Sequence, residues 1–274
     1  MIELTDKEKA QLEKTLKYWG KDRIATSQAK LTEKSQKQIN KQLKKYYSNT
    51  MKYVLSDFEA TYEKLLNTIE DGKEPTPADL YKLDKYWQMQ AQLKDRLQKL
   101  GDRQLVAMAK EFELNYFDIY YSIALQGKDT FTTLDDAAVE QMINSIWCAD
   151  GKSWSSRVWT NIEKLTETLN EELISCVASG KTTSDLKKKL MERFSVSYSN
   201  ADMIARTELA HIQTEAAKKR YEDYGIQKVQ IWADKDERRC DVCGKLHEKI
   251  YPAGAQVPIP AHPRCRCCIV PVIE

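Results

Sequence analysis

The chain has 274 residues, 43 Lys plus Arg against 41 Asp plus Glu, and a formal net charge of +2. That length holds one large or two medium domains with a real core, and no apolar run approaches the ~20 residues of a membrane helix. So small a net charge argues against a role built on strong non-specific binding of duplex DNA, which scales with the number of phosphates neutralised.

Charge is uneven along the chain. Residues 1–55 carry 13 basic and 6 acidic side chains (net +7), residues 56–150 carry 10 and 18 (net −8), and residues 151–274 carry 20 and 17 (net +3). The opening Met-Ile-Glu-Leu-Thr-Asp-Lys lacks the basic-then-apolar order of a signal peptide. A reducing cytosol follows as the expected compartment, with thiols free or metal-bound.

Helix signals dominate the first 225 residues. Thr5-x-x-Glu8 is a capping box, and the helix it opens should end near Gly20. A second helical stretch, about 22–70, is rich in Lys, Gln and Glu and places Ile39, Leu43, Tyr46, Tyr47, Tyr53 and Val54 at helical intervals. Lys17-Tyr-Trp19 and Lys44-Lys45-Tyr46-Tyr47 interleave cations with aromatics, a pattern that suits phosphate contacts or, more simply, a solvated helix face. Asp71–Pro77 reads as a loop, after which Thr76 caps a new helix with Pro77 at its first position. Leu80, Leu83, Tyr86, Trp87, Gln90, Leu93 and Leu97 trace its apolar face, and Gly101 and Gly127 bracket a further helix containing Met108, Phe112, Asn115 and Ile119.

From Asp150 a short turn precedes a helix through Ile162, Leu165, Leu169, Leu173 and Val177 that ends at Gly180. Gly180-Lys181-Thr182 is no phosphate loop, because Ser175 stands where its first glycine belongs and no strand precedes it. Thr182-x-x-Asp185 caps a helix over about 183–194, and Ser199 with Asp202 caps another that runs to Gly225. The latter contains Ala205-Arg206-Thr207-Glu208 and His211. Residues 206 and 208 face different sides of a helix. We expect one of them, Arg206, to join the helix to the sheet through a backbone carbonyl or Asp234. Cys148 and Cys176 sit alone on helical patterns and read as packing residues.

Strand character appears only after Gly225, over about 228–233 and 267–273, with Pro271 restricting the second strand to an edge. Between them lies Cys240-x2-Cys243, eighteen residues, then His262-Pro-Arg-Cys265-Arg-Cys267-Cys268. Two ligand pairs of this spacing predict one structural, tetrahedral Zn²⁺ on Cys240, Cys243, His262 and Cys265. Cys267 or Cys268 is an alternative fourth ligand, and His247 a competitor. A disulfide cluster is the other reading in an oxidising compartment. A zinc deaminase is excluded, since His-x-Glu upstream of Pro-Cys-x-x-Cys is missing. The fold class is therefore mainly α: a helical bundle with a small C-terminal β-sheet and a zinc-stabilised hairpin, an α+β C-terminal domain.

Taken in order, the Gly180-Lys181-Thr182 helix end, Ala205-Arg206-Thr207-Glu208, Trp232 with Asp234 and Asp236, Cys240-x2-Cys243 with Leu246, and His262-Pro263-x-Cys265-Arg266-Cys267 resemble the Mu F-like head morphogenesis proteins of tailed phages. The pattern departs from that family at His247-Glu248. The resemblance covers roughly 150–274, and it divides the chain into a helical N-terminal region, 1–149, and a Mu F-like minor head domain, 150–274. It implies a non-enzymatic virion component inside the head, in the host cytoplasm during assembly. Such a protein would partner the portal protein and other head proteins, act in head assembly, and handle or deliver packaged double-stranded DNA. The basic N-terminal segment is then expected to carry the portal attachment, and its removal (residues 1–55) to leave the remainder folded. Two other readings stand beside this one. A metal-dependent nuclease needs an open metal position. A zinc-ribbon-like nucleic-acid-binding module would use Arg238, Arg239, Arg264 and Arg266 around the metal.

Overall fold

The computed structural model describes residues 6–69, 73–123, 134–233, 236–237 and 239–272, apart from the side chains of 6–9, 11–13 and 15–19. Seven helices and three strands follow in order: α1 (Asp6–Leu66), α2 (Pro77–Tyr81), α3 (Asp84–Ser122), α4 (Asp136–Ile143), α5 (Trp154–Ala178), α6 (Thr183–Asp223), β1 (Lys228–Trp232), α7 (Asp241–Leu246), β2 (Ile250–Pro252) and β3 (Cys268–Val272). The protein is mainly α with a small antiparallel sheet at its C-terminal end. The Thr5 capping box, Gly127, Asp234 and Arg238 lie outside the described residues.

Local signals account for most boundaries. Gly20 adopts φ 63 and ψ 152 inside α1, so the helix breaks where the sequence expects it to end, then resumes. Thr76 and Asp79 form a reciprocal capping box at α2, and Thr182 and Asp185 form one at α6. Helix α5 stops at Gly180 (φ 56), where Lys181 N–H returns to Cys176 C=O at 3.0 Å. Helix α6 stops the same way at Gly225 (φ 70), with Ile226 N–H on Tyr221 C=O at 2.9 Å.

Two boundaries differ from the sequence reading. Gly101 lies inside α3, not at a helix end. A Cβ there would sit 2.4 Å from Cζ3 of Trp159, so the glycine makes room for an indole ring. Ser199 caps nothing, because α6 runs unbroken from Thr183 to Asp223. The serine-rich stretch is kept helical by tertiary partners: the Ser197 carbonyl accepts from Asn161 Nδ2 at 2.9 Å, and its hydroxyl lies 3.0 Å from the Tyr47 hydroxyl. Trp87, assigned above to an apolar face, is 59% exposed, its indole donating to the Tyr81 carbonyl.

The chain packs as two compact units. One comprises residues 40–107 and 148–202. Its core joins Leu43, Phe58 and Tyr62 of α1 with Leu93 and Leu97 of α3 and Leu165, Leu169 and Leu173 of α5, all buried. Arg96–Asp57 and Arg193–Glu172 ion pairs edge it. The other comprises residues 1–39, 108–147 and 203–274. Here Phe112 and Ile119 of α3, Leu209 and Tyr221 of α6, and Val229, Ile231, Ile269 and Val270 of the sheet are buried.

The sheet order is β2-β1-β3, with Val229 opposite Pro271 and Ile231 opposite Ile269. Both backbone groups of Ile231 bond toward β2 (its N–H to Lys249 C=O at 2.9 Å, its C=O from Glu248 N–H at 2.8 Å). By alternation Ile269 and Pro271 turn their backbone away from β1, so the missing N–H of Pro271 costs no ladder bond on this edge strand. The outward Ile269 carbonyl is satisfied by Gln28 Nε2 at 3.2 Å and the Tyr221 hydroxyl at 3.3 Å. Ile24 and Ala25 of α1 pack on Cys268, Val270 and Trp232, and Trp232 Nε1 donates to Asp22 at 3.0 Å. Residues 21–39 are therefore built into the same unit as the C-terminal hairpin. These contacts weigh against the expectation that residues 1–55 can be removed without unfolding the rest.

Candidate metal centre

The hairpin between β1 and β3 brings its distant cysteines together through two tight turns. Cys240 caps α7: its Sγ accepts from Cys243 N–H at 3.4 Å and its carbonyl accepts from Gly244 N–H at 2.9 Å. This places both sulfurs of the Cys-x2-Cys pair on one side. In the second turn the His262 carbonyl accepts from Cys265 N–H at 3.2 Å, and Arg264 takes a left-handed φ of 62. A β-carbon makes that conformation costly, by about 1–2 kcal/mol, so something must hold it. The Thr207 hydroxyl of α6 does so: it donates to Met203 C=O at 2.7 Å and accepts from Arg264 N–H at 3.1 Å.

The donor atoms meet at short range. His262 Nε2 is 3.3 Å from Cys240 Sγ and 3.1 Å from Cys243 Sγ, and Cys243 Sγ is 3.8 Å from Cys265 Sγ. Tetrahedral bonds of about 2.3 Å to sulfur and 2.0–2.1 Å to nitrogen imply S···S edges near 3.8 Å and S···N edges near 3.6 Å. The Cys243–Cys265 spacing matches such an edge, and the two sulfur–nitrogen spacings to His262 are shorter than one. His262 Nδ1 sits 2.8 Å from the Pro263 carbonyl, an arrangement that puts the proton on Nδ1 and turns Nε2 toward the thiols. Cys240, Cys243 and His262 form one potential donor group, and Cys243, Cys265 and Cys267 form a second that shares Cys243.

Cys267 and Cys268 separate as neighbours at a strand end must. Cys267 reaches the donor cluster. Cys268, on the opposite face of β3, packs against Ala25 and Val270 with its thiol 3.8 Å from the Trp232 carbonyl. The Cys267 hydrogen bond to the Cys265 sulfur pulls Cys265 down to about 5 and pushes Cys267 upward. Burial raises Cys243 to about 12. Four thiols and one imidazole therefore gather in two overlapping groups, where one thiol is already prone to ionise. His247 is held elsewhere: its Nδ1 accepts from Ala233 N–H at 3.2 Å and its ring meets Trp232 edge-on, centroids 4.8 Å apart. All seven cysteines carry free thiols.

In the Arg-Thr-Glu segment of α6 the expected Asp234 partner of Arg206 lies outside the described residues. Arg206 is exposed and lines a cavity beside Cys265 and Cys267, whereas Glu208 is the buried charge, 3% exposed, with Trp147 Nε1 donating to it at 2.8 Å. Trp147 also stacks on His211, centroids 4.4 Å apart. The hydroxyl between the two charges carries the link to the knuckle. Neither role was legible as such: Thr207 offered only its place inside the motif, and Trp147 lies sixty-one residues from Glu208. Among the arginines proposed around the metal, Arg239 and Arg264 are exposed, and Arg266 is engaged with both oxygens of Asp236 at 2.8 and 2.7 Å.

Residues 167–270 match the family model described as Phage Mu protein F like protein. No curated protein and no solved structure matches the chain. The matched stretch takes in part of α5, all of α6, the sheet up to Val270 of β3 and every donor of the cluster. The match supports a likeness of residues 167–270 to the Mu F-like phage head morphogenesis proteins.

Proposed function

We propose that the protein is a minor head component that attaches to the portal, assists head assembly, and handles or delivers the packaged DNA. In this reading Zn²⁺ on Cys240, Cys243, His262 and Cys265 closes the hairpin as a structural, non-catalytic ion. The observation that carries it is the family match over the segment that folds as hairpin, sheet and α6. The thiolate-rich donor set supports the structural role, since four such ligands fill a tetrahedral ion's coordination and leave no position for water or substrate. Cys267 serves the site by its hydrogen bond to Cys265. The ion would join the two knuckles of a hairpin whose strands are only three and five residues long. Among the described residues no helix is long and apolar enough to cross a membrane.

The test is co-expression with the portal protein of the same phage, followed by purification through a tag on the portal and mass spectrometry of mature particles. The full chain should copurify and be found in particles. Its absence from both would remove the head-component reading.

A further inference from the structure

Helices α1 and α6 and the second knuckle enclose a cavity of about 290 Å³. Its floor is buried and mostly neutral: Gln36, Ala210, Gln213, and the backs of Cys265 and Cys267. Among the described residues its rim carries the guanidiniums of Arg206 from α6 and of Arg264 and Arg266 from the knuckle, and the carboxylate of Glu33 from α1. One wall is already set. The Thr32 hydroxyl donates to Gln213 Oε1 at 2.5 Å, and Gln213 Nε2 donates to Gln28 Oε1 at 3.5 Å.

We propose that this cavity is a docking site for an acidic segment of a partner protein, with a partner carboxylate seated between Arg206 and Arg264. Arg266 shows the chemistry in place, since its guanidinium grips both oxygens of Asp236. Each arginine offers five donors in a planar fork, more than one carboxylate uses, so an arginine that already has a neighbour still binds another. Duplex DNA fits poorly. A duplex is read by cations spread along a face or by an element entering a groove about 12 Å wide. Here the cations converge into a concavity sized for a few side chains, and Glu33 and Asp236 stand among them. The small and amide floor of Ala210, Gln36 and Gln213 suits an extended backbone entering with its acidic side chain. The ligand class follows from the cavity alone; only the identification of the partner as a head protein rests on the proposed function.

The experiment uses the full-length, reduced, metal-loaded protein and a fluorescein-labelled decapeptide of alternating Glu and Gly, followed by fluorescence polarisation, with a short DNA duplex as competitor. The peptide should bind, and Arg206→Glu should weaken it by about ten-fold or more. Glu33→Gln should tighten it, the duplex should not displace it, and metal content should be the same in both variants. Arg206 and Glu33 are exposed, so neither change threatens the core. No binding at millimolar peptide, or binding indifferent to both substitutions, overturns the proposal. Displacement by duplex that is itself lost in Arg206→Glu also overturns it, and makes the cavity a nucleic-acid site. Neither portal nor particles enter the titration, so failure of the head-component reading would leave the result unchanged.

Discussion

Thr207 is the side chain whose role is most exposed to experiment. It supplies one oxygen to the backbone of Arg264, a residue held at positive φ next to Cys265 of the donor cluster. Thr207→Val keeps the shape and removes that oxygen. Supporting hydrogen bonds around metal ligands are worth roughly 10–100-fold in metal affinity, and we expect a loss in that range by competition with a chromogenic chelator, restored by Thr207→Ser. Unchanged affinity in the valine variant would mean the knuckle holds Arg264 unaided. His211 makes a different prediction. Burial, with a smaller push from Lys218, lowers it to about 4 from its ordinary 6.5. Between those values the unfolded chain binds a proton that the folded chain refuses. The stability from keeping this imidazole neutral is therefore fully present above pH 6.5 and is lost as pH falls toward 4. The loss by pH 5 should be about 2 kcal/mol, read as a fall in melting temperature from pH 7 to pH 5 that is smaller in His211→Gln. An equal fall in the two proteins would contradict it.

Gly101 belongs to α3, and there two effects compete. Alanine gains about 1 kcal/mol over glycine in a helix interior, while overpacking costs about 1–3 kcal/mol. With a Cβ only 2.4 Å from the Trp159 ring, the clash should win, so Gly101→Ala lowers the melting temperature. In a Trp159→Ala background the sign should reverse, because the propensity gain is then unopposed. A stabilising Gly101→Ala in the parent would show that the ring yields freely. This glycine also marks where the text of the sequence stopped being readable. Caps and stops such as Thr76, Thr182, Gly180 and Gly225 act through neighbours three to five residues away, and local pattern is enough to find them. Gly101 and Ser199 look like the same punctuation, yet Gly101 makes room for Trp159, and the helix at Ser199 is held two residues earlier, where Ser197 meets Tyr47 and Asn161, far off in sequence. The donor cluster was legible because ligand spacing is local within each pair. The burial of Glu208 was not, since it depends on Trp147, sixty-one residues away.

The opposite charges of the basic and acidic stretches meet within the fold. Lys34 of the first pairs with Asp118 of the second, though an exposed pair of this kind adds at most about 1 kcal/mol. The segment up to residue 39 is tied down more firmly by Ile24, Ala25 and Gln28 on the sheet and α6. Deleting residues 1–55 should therefore abolish cooperative unfolding of the C-terminal hairpin, while deleting residues 1–19, ahead of the Gly20 break, should preserve it. Circular dichroism melts of both truncations decide this. A 56–274 fragment that melts cooperatively with native metal content would refute the role given to α1.

The most direct test of the account is native mass spectrometry of the full chain, purified under reducing conditions, with zinc measured by elemental analysis. The account predicts one zinc per chain, lost in Cys240→Ser and on chelation, with the helical signal largely retained and the hairpin loosened. Reduced, folded protein that carries no stoichiometric zinc and takes none up would contradict it.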